Sequence, residues 1–172
     1  MNDTGRGVVA GVMVLPDEAS FEVRVAPLYS ALVRRLTMVL RDPHAAQDVA
    51  QEAYLRAFRA WDDFDGRDVA AWLHTIALRL AFNELRRRRR LGAFLARRAT
   101  SEWAPSVEID LWNALERVEP RQRAALLMNV IDGYTQAEIA HMLGAPPGTV
   151  ASWLTRTKAR LRRELRTVED TR

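Results

Sequence analysis

A chain that contains Gly133–Arg163, GYTQAEIAHMLGAPPGTVASWLTRTKARLRR, has few ways to fold. Thr135 and Glu138 stand three apart, the spacing of a capping box, in which a hydroxyl and a carboxylate satisfy free amides at a helix start. Ile139, Ala140, Met142 and Leu143 then mark one apolar side. Gly144 falls where a left-handed residue closes a helix. Ala145-Pro146-Pro147-Gly148 makes a tight turn, and a second helix opens with Val150, Leu154, Leu161 and Leu165 at helical spacing. Its other face shows Thr149, Ser152, Trp153, Arg156, Lys158, Arg160 and Arg162. This is a helix-turn-helix. In a DNA-binding one the second helix enters the major groove and its N-terminal residues meet base edges. A structural helical hairpin with a solvated basic face is the alternative.

Helical periods also fill the chain before this stretch. Phe21, Val25, Leu28, Leu32, Leu36 and Val39 recur at three- and four-residue steps, with Ser20 as N-cap and Pro27 as a kink or a later start. Asp42-Pro43 opens a second helix to about Trp61, apolar along Ala46, Val49, Ala50, Ala53, Ala57 and Phe58. A turn-rich loop, Asp62–Arg67, follows. Asp68 then caps a third helix carrying Trp72, Leu73, Ile76, Ala77, Leu80 and Leu85 and ending in Arg86–Arg90. A helical turn needs about 3.6 residues, so five consecutive arginines cover every face and require water or an anion. The period fades over 91–105, which reads as a flexible linker. Ser106 caps a short helix with Leu111, Trp112, Leu115 and Val118. Glu119-Pro120 opens another, Arg121–Asp132, with Ala124, Leu127, Val130 and Ile131 inward.

The expected fold is therefore all-α, in two small helical domains. Residues 1–19 form a flexible N-terminus, 20–90 the first domain, 91–105 the linker, 106–166 the second domain and 167–172 a fraying tail. Among the 172 residues there is no cysteine, which excludes disulfides and thiolate metal sites and fits a cytoplasmic setting. The net charge of +4 is mild, and its distribution says more than its sum. His44, His74 and His141 lie on separate segments without ligand spacing, so neither a metal site nor a cofactor is expected. No apolar run approaches the roughly 20 residues of a membrane span. Val8–Leu15 is apolar but short, and a docking role for it stays open.

Two stretches resemble one family. Asp48-Val-Ala-Gln51-Glu52 followed by AYLRAFRAW resembles the core-polymerase-binding helix of bacterial sigma-70-type initiation factors. Ala71-Trp72-Leu73-His74-Thr75-Ile76-Ala77, ending in NELRRRRR, resembles the promoter-melting helix after it. Glu119-Pro120-Arg121 through the helix-turn-helix resembles the family's C-terminal domain. The short linker matches the extracytoplasmic-function (group 4) class, and the likeness covers residues 21–165.

The resemblance implies a non-enzymatic transcription factor that binds core RNA polymerase, at its clamp helices and flap, and promoter DNA. It also implies an anti-sigma partner, membrane-anchored in many cases, and no small-molecule substrate. Asp48, Gln51, Glu52 and Leu55 would meet the polymerase. Phe64, Arg67, Trp72, Asn83, Arg86 and Arg87 would serve the downstream promoter element, with core packing the stronger reading for Trp72. Thr149, Ser152, Trp153 and Arg156 would meet the upstream element, with Lys158 and Arg160 on its phosphates. Three positions depart from the family pattern. Leu78-Arg79 replaces a frequent Arg-Asn, Asn83 replaces a frequent Asp, and Trp153 replaces an arginine. Trp153 could pack on thymine methyls or sugar edges, or anchor its helix to its own domain. A conventional helix-turn-helix regulator and a sigma-like adaptor that binds no DNA are the alternatives.

Overall fold

In the computed structural model, which describes residues 18–92, 113–115 and 117–169, the first apolar run becomes α1, Glu18–Leu40. The helix starts two residues before Ser20, so Ser20 lies in its first turn and is not its cap. Pro27 sits inside α1, on its exposed side. Proline removes an amide hydrogen bond and strains the preceding turn. Phe21 and Val25 before it, and Leu32 and Leu36 after it, are nonetheless all buried. Packing of the amphipathic face outweighs the local cost, so the helix is continuous.

Arg41, left-handed at φ 59°, turns the chain into α2, Pro43–Arg59. The Asp42 carboxylate accepts from the Ala45 amide at 3.0 Å, and Pro43 takes the first helical position, where no amide partner is needed. Asp68 caps α3, Val69–Gly92, accepting from Ala71 at 2.9 Å. α3 continues two residues past Arg90, into the segment read as linker. Arg87 and Arg88 reach back three and four residues to Glu84, which holds the arginine block in helical register. Helices α1, α2 and α3 enclose a core of Phe21, Val25, Leu36, Ala46, Ala53 and Leu73 among others.

The second half holds the helical residues 113–115 and three longer helices. These are α4, Pro120–Val130, α5, Gln136–Leu143, and α6, Pro147–Glu169. α4 ends before Asp132, and Val130 and Ile131, expected inward, are 63% and 56% exposed. Leu126 and Met128 are buried instead, beside Ala124 and Leu127, because residues 123–128 are enclosed on every side while the end of the helix projects to solvent. α6 runs on to Glu169, into the tail expected to fray. The rest of the linker, Ser106 with Leu111 and Trp112, and the N-terminal apolar stretch lie outside the described residues.

The capping box forms as its spacing predicts. Glu138 N–H donates to the Thr135 hydroxyl at 3.3 Å, and Thr135 N–H donates to the Glu138 carboxylate at 2.7 Å. Gly144 closes α5 at φ +58°, with open space where a Cβ would stand. Gly144→Ala therefore meets no clash and only a torsional penalty, about 1 kcal/mol. Urea unfolding of the variant checks this, and a loss under a few tenths would sink it.

The two halves share a core. Ala114, Leu127, Ile139, Val150 and Leu154 pack in one continuous cluster with Val39 of α1 and Leu78 and Phe82 of α3. Leu78, one of the three departures, is thus buried in the seam at 3% exposure.

Candidate functional site

The polar face of α2 is the first candidate surface. Asp48 and Gln51 are exposed, three residues apart on one side. Leu55, 47% exposed, continues that side by one turn. Glu52 is half-buried and pairs with Arg56 at 2.6 Å. Beside them, between α2 and α3, lies a cleft of about 540 Å³ lined by Asp42, Asp48, Glu52, Asn83 and Arg87 among others. Glu84, on its wall, accepts from both Arg87 nitrogens at 2.8 and 2.9 Å. The Arg87 bonds hold the Glu84 carboxyl below its ordinary range despite burial. Arg88 spans to Asp42 at 2.9 Å, joining α3 to the start of α2. Arg87 is thus turned toward α2 and the acidic cleft, while Arg86 donates to the side-chain oxygen of Asn83, which lines both this cleft and the one facing the second half.

The loop after α2 is built on aromatic stacking. Phe64 lies flat on Trp61, centroids 5.2 Å apart and planes at 18°, and tilts against Trp72 at 4.8 Å. The Arg24 guanidinium covers both Trp61 and Phe64, at 5.3 and 5.1 Å, and donates to the Gly66 carbonyl at 3.2 Å. Trp72 is half-buried against the first core, so it serves the packing while touching the loop. Arg67 projects with 87% of its side chain exposed. Arg24 and Trp61 were not singled out in the sequence. Trp61 reads there as the last apolar residue of a helix, and nothing local assigns Arg24 a ring partner 37 or 40 positions away.

The N-terminus of α6 is the third surface. Pro146, Pro147, Gly148 and Arg156 are exposed, and Thr149 and Ser152 are half-buried beside them. Trp153 packs against the second core, which favours the anchoring reading over thymine contact. Lys158 donates to the Asn129 side chain at 2.7 Å. Arg160 pairs with Glu164 at 2.8 Å and donates to the Arg117 carbonyl at 3.1 Å. Both cations read as phosphate clamps therefore hold their own half together in this arrangement.

The seam between the halves carries polar groups that the sequence reading passed over. Arg35 of α1 donates to the Leu127 carbonyl at 3.0 Å and to Asp132 at 2.5 Å. In the opposite direction Arg123 of α4 donates to the Val39 carbonyl at 2.9 Å. His74 of α3 stands edge-on to Tyr134, centroids 6.1 Å apart. Burial, with Arg35 nearby, pushes the His74 pKa down to about 4. The available signal was position, since Arg35 lies within the stripe of Leu32, Leu36 and Val39. No group of three or more potential metal ligands clusters among the described residues.

Residues 23–91 match the family model for Sigma-70 region 2, and residues 108–161 match that for Sigma-70, region 4. The chain is 32% identical over 161 residues to the ECF RNA polymerase sigma factor SigM of Mycobacterium tuberculosis, covering 88% of this chain and 80% of that one. The chain belongs to the sigma-70 family, in its extracytoplasmic-function class. Region 2 is the half built by α1–α3, and region 4 is the half that ends in α6. ECF RNA polymerase sigma factor SigG of M. tuberculosis is 29% identical over 82% of this chain, which spans about half, 47%, of that relative's length. Among solved structures, CnrH in complex with the cytosolic domain of CnrY is 26% identical, with a TM-score of 0.65 over 88% of this chain and 90% of that one. The sigma factor RpoE in complex with the anti-sigma factor NepR from Bartonella quintana has the same fold, with a TM-score of 0.73 at 22% identity over 86% and 97% of the two chains.

Proposed function

We infer that this sigma-70 family chain binds core RNA polymerase and directs it to promoters, under the control of an anti-sigma partner. It acts as a regulatory, non-enzymatic protein in the cytoplasm. The observation that carries this is the presence of three distinct outward faces on one chain. The Asp48–Gln51–Leu55 side of α2 offers an exposed leucine between polar groups, suited to a protein helix. The half-buried Phe64 and Trp72 rings with exposed Arg67, and exposed Asn83 and Arg86 roughly three to four turns farther along α3, offer ring edges and cations, suited to single-stranded DNA. The start of α6 offers Thr149, Ser152 and Arg156 to a major groove. In the closed arrangement α4 and α5 flank Asn83 and Arg86, so promoter engagement requires the halves to separate. Lys158 and Arg160 then reach phosphates only by exchanging their present partners.

The test is in-vitro transcription with purified core polymerase on a promoter library, wild type beside Asp48→Ala/Gln51→Ala. Specific transcripts that fall about tenfold in the double variant, roughly 1.4 kcal/mol of docking energy, are expected. Specific duplex binding without transcripts would indicate a conventional regulator. Neither transcripts nor DNA binding would indicate the adaptor.

A further inference from the structure

The arginines near the C-terminal end of α3 fall into two groups. Arg87, Arg88 and Arg89 have carboxylate partners in Glu84, in Glu84 with Asp42, and in Glu119. Arg79 and Arg86 of α3, and Arg121 of α4, pair with no carboxylate among the described residues. These three line one cleft of about 370 Å³ at the seam, together with Phe82, Asn83 and the end of α5. Among the described residues, no acidic one lines it. Neutral groups hold two of the guanidiniums in place. Arg121 lies over the Phe82 ring at 5.3 Å, and Arg86 donates to the Asn83 side-chain oxygen. Such contacts fix direction without pairing the charge, and Glu119, which lines the adjoining cleft beside Arg86 and Arg121, pairs with Arg89.

Three like charges around one concavity repel one another, and a polyvalent anion between them reverses the sign of that energy. Guanidinium forks match phosphate oxygens in geometry, and charge-assisted bonds of this kind are the strong ones. At ~30 Å³ per water the cleft has room for about a dozen waters, the scale of a di- or triphosphate group. We propose that this cleft is a binding site for a compact polyphosphate. Arg79 and Arg86 come from region 2 and Arg121 from region 4, so only the closed arrangement completes the site. An anion that binds one arrangement shifts the population toward it. Polyphosphate therefore favours the closed form, and a nucleic-acid strand that takes Arg86 favours the open one. The anion site goes beyond the transcription reading and does not depend on it, whereas the competition with a strand rests on it.

The experiment is calorimetric titration of the full chain with inorganic tripolyphosphate at constant ionic strength. Wild type is expected to bind one anion per chain. Arg79→Gln and Arg121→Gln, one from each half, should each weaken binding at least tenfold. Both side chains are exposed, so the variants fold, and circular dichroism checks that. Arg90→Gln, an exposed arginine of the same helix outside the cleft, should change affinity less than twofold. Equal weakening by Arg90→Gln would mean diffuse attraction and overturn the site, as would the absence of saturable binding. A phosphate could also come from a nucleic-acid backbone. Displacement of a labelled single-stranded octanucleotide by tripolyphosphate at one equivalent supports the small-anion site. An octanucleotide that binds through Arg79 and Arg121 and resists tripolyphosphate would reassign the cleft to the strand.

Discussion

Arg35→Ala is expected to lower stability by about 3 kcal/mol, the scale for breaking a buried ion pair by removing one partner. Arg35 retains 9% side-chain exposure and Asp132 16%, so neither is well screened by water. The substitution strands the Asp132 carboxylate in the seam and removes the donor to the Leu127 carbonyl. The pair is not itself a large source of stability. Burial lowers the Arg35 pKa despite Asp132, and burial raises the Asp132 pKa despite Arg35. For both groups desolvation exceeds what the partner returns. The double variant Arg35→Met/Asp132→Leu should accordingly stay within about 1 kcal/mol of wild type. Urea unfolding followed by tryptophan fluorescence measures both. A single variant that loses under 1 kcal/mol, or a double variant as unstable as the single, would show that the pair does not hold the halves in register.

Acid should open the same seam. His74 has a folded-state pKa of about 4, lowered first by burial and then by Arg35, and opposed by Asp68. The unfolded value is about 6.5. A depressed folded pKa means that the unfolded state binds the extra proton between these two values, so stability falls as pH drops from 6.5 toward 4. The full effect is about 3 kcal/mol, from 1.36 kcal/mol per pKa unit. His74→Gln keeps a polar side chain without the titration and should flatten the acid limb over that window. Stability measured at intervals from pH 7 to 4 decides it, and an unchanged acid limb in the variant would falsify the assignment to His74. The chemistry is local to the seam, where the proton would meet Arg35 across a buried surface that also holds Tyr134, itself raised to about 12 by burial.

The amino-acid sequence by itself determined the helices and their order. Capping pairs such as Asp42 with Ala45 and Thr135 with Glu138 act within four residues, so their spacing is visible in the chain. The same locality made the Asp48–Gln51 face and the α6 N-terminus legible. Helix ends were read less well, at Val130 and Glu169, than helix starts marked by a capping side chain. Pro27 reads as a kink or a later start, and burial of Phe21, Val25, Leu32 and Leu36, with Phe21 set against Tyr54, Phe58 and Trp61, keeps α1 whole through it. What the tertiary structure alone decided is how the halves meet. Leu78 becomes core, Arg35 and Arg123 cross the seam, and Arg79, Arg86 and Arg121 gather around one cleft. Across the seam these partners lie 35 to 97 positions apart. Contacts at that separation leave no period in a sequence, because their energy depends on which surfaces are desolvated together, and that is fixed only when the helices pack.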